Sequence, residues 1–124
     1  MTTQEVANQL VKLCREGRNF QAIDSLYSKE ITSTEAFGTD STPRTMKGIP
    51  AIREKNQWWA NAHDVLQHEI KGPFFNGPDE FTAYATVDVI FKETGQKMNF
   101  EEICWYKVKD GKILEEKFFY NIES

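Results

Sequence analysis

The chain has 124 residues, 27% of them charged and 40% hydrophobic, with 15 basic against 19 acidic side chains and a net charge of −4. That length suits a single domain over 1–124 with one core, and the composition is ordinary for a folded protein. The acidic balance argues against nucleic acid as a partner, because phosphate backbones are held by clustered Lys and Arg. No stretch reaches the roughly 20 apolar residues that cross a membrane.

The start, Met1-Thr2-Thr3-Gln4-Glu5, is polar and has no basic or apolar leader segment, so a cytoplasmic location is expected. Cys14 and Cys104 sit outside any CxxC motif. They read as buried free thiols, with a bridge between them as the alternative.

Thr2 and Glu5 have capping-box spacing, and Val6, Leu10, Leu13 and Cys14 recur at helical intervals up to Gly17. A second short helix follows, with Asn19 as its cap and Phe20, Ile23, Leu26 and Tyr27 turned inward. Residues 30–37 read as a strand. The Gly-, Ser-, Thr- and Pro-rich stretch 38–47 reads as a loop, a candidate lid or mouth. Gly48-Ile49-Pro50 opens a third helix, carrying Ile52, Trp58, Trp59 and Ala62 to about His63. Four strands are then expected, over 63–75, 80–92, 97–109 and 112–122. Asn76-Gly77-Pro78-Asp79, Thr94-Gly95 and Asp110-Gly111 separate them, and such short turns make the pairings antiparallel. Helices first and strands after predicts an α+β fold, with helices on one face of a curved antiparallel sheet.

Three stretches carry a family resemblance: Phe20-Gln21-Ala22-Ile23-Asp24-Ser25-Leu26-Tyr27, Gly48-Ile49-Pro50-Ala51-Ile52, and Val108-Lys109-Asp110-Gly111-Lys112-Ile113-Leu114-Glu115. In this order and spacing the chain resembles the NTF2-like superfamily, and within it the SnoaL-like polyketide cyclases and the ketosteroid isomerases. The resemblance spans nearly the whole chain. It implies a cone-shaped roll of the NTF2-like or cystatin-like kind, a sheet wrapped around the N-terminal helices with a pocket at the open end. It also implies dimers formed through the outer sheet face.

Strand alternation sorts the side chains. With Phe100 inward, Glu102, Cys104, Tyr106 and Val108 follow it, and Leu114, Glu116, Phe118 and Tyr120 do so on the last strand. Ile113, Glu115, Lys117 and Phe119 then face outward. Leu66, His68 and Ile70 form the inner row of one strand, and Phe81, Ala83, Ala85, Val87, Val89 and Phe91 that of the next. This gathers His68, Glu102 and Glu116 on one concave wall, a plausible proton-transfer group because a desolvated carboxylate titrates nearer neutrality. The alternative is a satisfied polar cluster. Glu35 is the second candidate base. The resembling isomerases have an Asp at this strand end, with a Tyr and an Asp as oxygen-holding donors. Val11 and Cys104 stand at the donor positions here, so steroid isomerisation is not implied.

Trp58, Trp59, Cys104, Tyr106, Phe118 and Tyr120 are the candidate lining of an apolar pocket. His63 and His68, five apart, would face opposite sides of a regular strand, and no cluster has ligand spacing, so neither a metal nor a cofactor is expected. Ser33 and Ser41 lack a nucleophile-elbow context. The outward residues Tyr84, Ile90, Ile103, Trp105 and Phe119 predict a homodimer. Two functions are open: an isomerase-, cyclase- or dehydratase-type acid–base enzyme for a small apolar carbonyl compound, or a non-catalytic module that binds a ligand or a partner.

Overall fold

The computed structural model describes residues 1–121, so Ile122, expected to end the last strand, lies outside the described residues. The elements are α1 (Thr3–Arg15), α2 (Asn19–Leu26), β1 (Tyr27–Thr34), β2 (Thr45–Lys47), α3 (Ile49–Ala62), β3 (His63–Asn76), β4 (Glu80–Phe91), β5 (Gln96–Lys109) and β6 (Lys112–Phe119). The strands form one open, curved sheet in the order β2-β1-β6-β5-β4-β3.

Local chemistry explains the helix ends. Thr2 and Glu5 make the reciprocal capping box at the start of α1. At its end Gly17 takes φ 72°, and the Arg18 amide closes onto the Leu13 carbonyl at 2.8 Å. The side chain of Asn19 does not cap α2; Arg18 holds that position, without a side-chain bond. Tyr27, expected on the helix, instead opens β1, three residues earlier than the sequence suggested. The turn at Asp110 (φ 52°) and Gly111 (φ 74°) has two left-handed residues, the geometry that matches the twist of a tight hairpin.

The stretch read as a loop before α3 contains β2, which pairs with β1 through Thr32 and Lys47. The amide of Glu35 bonds the Arg44 carbonyl, and the Arg44 guanidinium returns to the Glu35 carbonyl, both at 2.8 Å. The segment is thus a pinned hairpin rather than a free lid. The sheet also departs from uniform antiparallel pairing, since β1 runs parallel to β6.

The core lies between the helices and the concave sheet face. Val6, Leu26, Ile31, Ile52, Phe81 and Ile113 are fully buried there. Phe81 stacks on Tyr106 with ring centroids 4.8 Å apart. At the C-terminal end of α1, the Arg15 guanidinium donates twice to the Ile70 carbonyl, at 3.0 and 2.9 Å, fastening the helix to β3.

Two bulges correct the expected side-chain sorting. In β3, Val65 pairs with Val89 and Gln67 with Asp88, leaving Leu66 as the extra residue. Leu66 is therefore half exposed instead of inward, and His63 and His68 fall on the same face, opposite Phe91 and Val87. In β6, Lys107 pairs with Glu115 but Val108 with Ile113, so Leu114 is the extra residue. Ile113 is fully buried as a result, the reverse of its expected outward place.

Truncation of Phe81 to Ala is expected to lower stability by about 3–5 kcal/mol, whereas Leu66→Ala should change it by less than about 1 kcal/mol. Urea unfolding midpoints of the two variants check this.

Candidate functional site

The register of four strands writes the concave wall row by row. Ser33 of β1 lies beside Glu116 of β6, which lies beside Tyr106 of β5 and, next, Phe81 of β4. The row above runs Phe118, Cys104, Ala83. In the row above that, Glu102 faces Ala85, and β6 has just ended toward Tyr120. The β4 residues opposite Cys104 and Glu102 are thus small, Ala83 and Ala85.

Helix α3 covers this wall. Ile52, Lys55 and Trp59 share one face of it, at helical spacing. Ile52 enters the core. The Lys55 Nζ donates to Glu35 Oε1 at 2.8 Å and Ser33 Oγ at 2.9 Å, and lies 5.1 Å from the centre of the Phe118 ring. Glu35 follows β1, and its other oxygen accepts from the Tyr120 hydroxyl at 3.1 Å. Phe37 packs edge-on against Tyr120 at 5.9 Å.

Glu116 is 2% exposed and accepts from the Tyr27 hydroxyl at 2.7 Å. Burial pushes its carboxyl up, opposed by the Lys55 charge and by hydrogen bonds from Tyr27 and Ser33. Ser33 thus links the ammonium to the buried acid. Burial lifts the Tyr27 and Tyr106 phenols well above their ordinary range, so both are neutral donors. Tyr120 is raised as well, by burial and by the charge of Glu35.

Glu102 differs from its two neighbours. Among the described residues its hydrogen-bond partner is a weak one, the Cys104 thiol, with sulfur 3.6 Å from Oε1. Desolvation, then the Glu35 charge, lifts its carboxyl from 4.5 to about 7, while the thiol and Lys55 hold it back. That value lets it change charge near neutral pH. Cys104 and Cys14 are free thiols that burial pushes up, Cys14 to about 12, so neither is a ready nucleophile.

The structure brings Glu35, Glu102 and Glu116 together with Cys104, Phe118 and Tyr120. It leaves His68 out. That ring keeps the concave side, but on the edge strand, exposed, with Nε2 3.1 Å from the Arg15 carbonyl. Tyr106 is buried in the core stack. Trp59 is half-buried and stacks on His63 at 4.5 Å, while Trp58 is 63% exposed and meets His63 edge-on. Lys55, Tyr27 and Ser33 were missed. The apolar spacing from Ile52 to Trp59 runs through Lys55, and Ile31, Ser33 and Glu35 alternate; both signals stand in the sequence. A cleft of about 290 Å³ lies elsewhere, between Thr3 and Gln4 of α1 and the Phe75, Gly77 and Pro78 turn, with no titratable group among these residues. Among the described residues no helix is long and apolar enough to cross a membrane.

A raised carboxyl stabilises the fold only while protonated. The stability that Glu102 contributes is present below pH 4.5, its ordinary value, and is lost as pH rises to about 7. Glu102→Gln should therefore be more stable than the parent by about 1–3 kcal/mol near pH 8, with the gap closing near pH 4. Denaturant melts at the two pH values test it.

The comparisons with known proteins agree with this architecture. A model of the SnoaL-like domain matches residues 1–120. A crystal structure of a candidate SnoaL-like polyketide cyclase from Mesorhizobium loti is 36% identical, covering 97% of this chain and 100% of its own, with a TM-score of 0.89. A candidate isomerase from Bacillus subtilis (15% identical, 98% and 90% covered, TM-score 0.79) shares the fold. So does an NTF2-like protein from Burkholderia thailandensis (15%, 98% and 92%, TM-score 0.80). No curated protein matches. On the strength of the matched domain and of the Mesorhizobium relative, the chain belongs to the SnoaL-like family.

Proposed function

We propose that this chain is an acid–base enzyme for a small, largely apolar carbonyl compound, with Glu102 as the group that carries the proton. The observation behind this reading is the state of Glu102: a half-buried carboxyl raised to about 7, facing Ala85 and held by a single thiol. Such a group is ionised enough to accept a proton and basic enough to take one from carbon. Glu35 is a weaker candidate, because Lys55 and Tyr120 already occupy both its oxygens. Glu116, 2% exposed and sealed beneath Tyr27, is out of a substrate's reach. The names of the relatives are compatible. Cyclisation of a polyketide and isomerisation beside a carbonyl both begin by removing a proton next to C=O.

The test is deuterium exchange at the carbons flanking the carbonyl of cyclohexanone in heavy water, followed by proton NMR. The chain should accelerate exchange, with a rate that rises through about pH 7 as Glu102 ionises, and Glu102→Gln should lose about a hundredfold or more. No acceleration over protein-free buffer, or an unaffected variant, counts against the reading.

We further propose that the outer sheet face binds a second copy of the chain. Tyr84, Ile103 and Phe119 lie side by side across β4, β5 and β6, and Ile103 (41%) and Phe119 (54%) are exposed. Trp105 sits next to them under Lys117, and Ile90 extends the patch along β4. Sedimentation at micromolar concentration should give a dimer that Phe119→Asp converts to monomer; a monomeric parent would sink the interface.

A further inference from the structure

We infer that Lys55 is the oxygen-holding group of this site, a substrate-contacting residue that takes the negative charge arising on a carbonyl oxygen when Glu102 removes a neighbouring proton. The inference rests on the proposed role of Glu102. It adds a residue and a substrate class: compounds neutral in the ground state whose charge appears on oxygen during reaction.

Three observations support it. The Cys104 thiol on this wall is kept protonated by burial and is a weak donor. Some other donor must serve if an enolate is to form. Lys55 projects from α3 onto the same wall, and its charge is felt by both Glu102 and Glu116. Finally, its donors are not exhausted. An ammonium has three N–H groups. Those to Ser33 Oγ and Glu35 Oε1 account for two, and the third has no hydrogen-bond partner among the described residues, with only the Phe118 ring, 5.1 Å from Nζ to its centre, beside it. The Lys55 side chain is only 18% exposed, so this donor operates in a partly desolvated setting, where a charge-assisted bond is strong.

The charge balance also works. Lys55 and Glu35 compensate each other in their 2.8 Å ion pair, and the ionised Glu102 carries one negative charge. In the step, the C–H bond beside the carbonyl breaks and its proton goes to the Glu102 carboxylate. The electron pair becomes a C=C bond, and the carbonyl π pair settles on oxygen. The site's total charge does not change: one negative charge moves from Glu102 to an oxygen beside Lys55. A substrate already anionic at that point would meet Glu35 and Glu102 as well as Lys55, and would be repelled. Neutral carbonyl compounds are thereby preferred over carboxylates or phosphates.

The probe is 4-nitrophenol, a planar ring with one oxygen, whose visible absorbance separates phenol from phenolate. The protein should bind it as phenolate near pH 6, where Glu102 is mostly protonated, and less well near pH 8, where Glu102 is charged. Lys55→Met should weaken phenolate binding by about tenfold or more, Lys55→Arg should keep part of it, and Glu102→Gln should bind phenolate at both pH values. Circular dichroism and unfolding midpoints verify that each variant is folded; if Lys55→Met is not, the loss of pH dependence in Glu102→Gln and the partial binding by Lys55→Arg carry the test. Phenolate bound equally well by parent and Lys55→Met, or not bound at millimolar probe, overturns the inference. Should Glu102→Gln abolish exchange while Lys55→Met leaves phenolate binding intact, Lys55 falls and the base stands. The opposite pair of results removes the base and leaves Lys55 as an anion holder.

Discussion

Lys55 sets one ammonium against the carboxyls of Glu35, Glu102 and Glu116, and the shortage of positive charge governs the rest of the wall. Glu35 takes the direct ion pair at 2.8 Å. Glu116, with no room in water, is raised by burial and satisfied by Tyr27 and by Ser33. Glu102 is left with a thiol and with the repulsion of Glu35. Three residues of one type thus stand in three different surroundings, an ion pair, a sealed hydrogen-bonded burial and a weakly partnered position, and differences of that kind separate roles in carboxylate sites.

The sheet makes that imbalance possible. Antiparallel register between β4, β5 and β6 is unbroken through the upper wall, so Ala85, Glu102, Cys104 and Phe118 hold fixed neighbours. Helix α3 is anchored by Ile52 at one turn and delivers Lys55 from the next. The same alternation that turns Glu102 inward turns Ile103 outward beside Phe119. In the proposed function, chemistry and assembly use opposite faces of the same hairpin.

Much of this was legible in the sequence, for a physical reason that also explains the failures. Over the long strands β4 and β5 the period-two pattern is redundant, so one inward residue fixes the row, and Glu102, Cys104 and Tyr106 were sorted correctly. A bulge adds one residue with little trace in composition. Leu114 in β6 and Leu66 in β3 each did so, misplacing Ile113 and hiding that His63 and His68 share a face. His68 failed for another reason: inward orientation does not give proximity, and its strand is the sheet edge, two strands from Glu102. Short β2 was invisible because three residues of Thr, Met and Lys carry no periodicity. Lys55 was overlooked as a charge on a helix, although it stands within the inward spacing from Ile52 to Trp59.

The central claim is that Glu102 changes charge near neutrality. Carbon-13 NMR of the glutamate side-chain carboxyls, titrated across the acid-to-neutral range and assigned by the Glu102→Gln variant, reads this directly. A resonance titrating at about 7 that vanishes in the variant is the predicted result. A Glu102 carboxyl that titrates at its ordinary 4.5 would contradict the account.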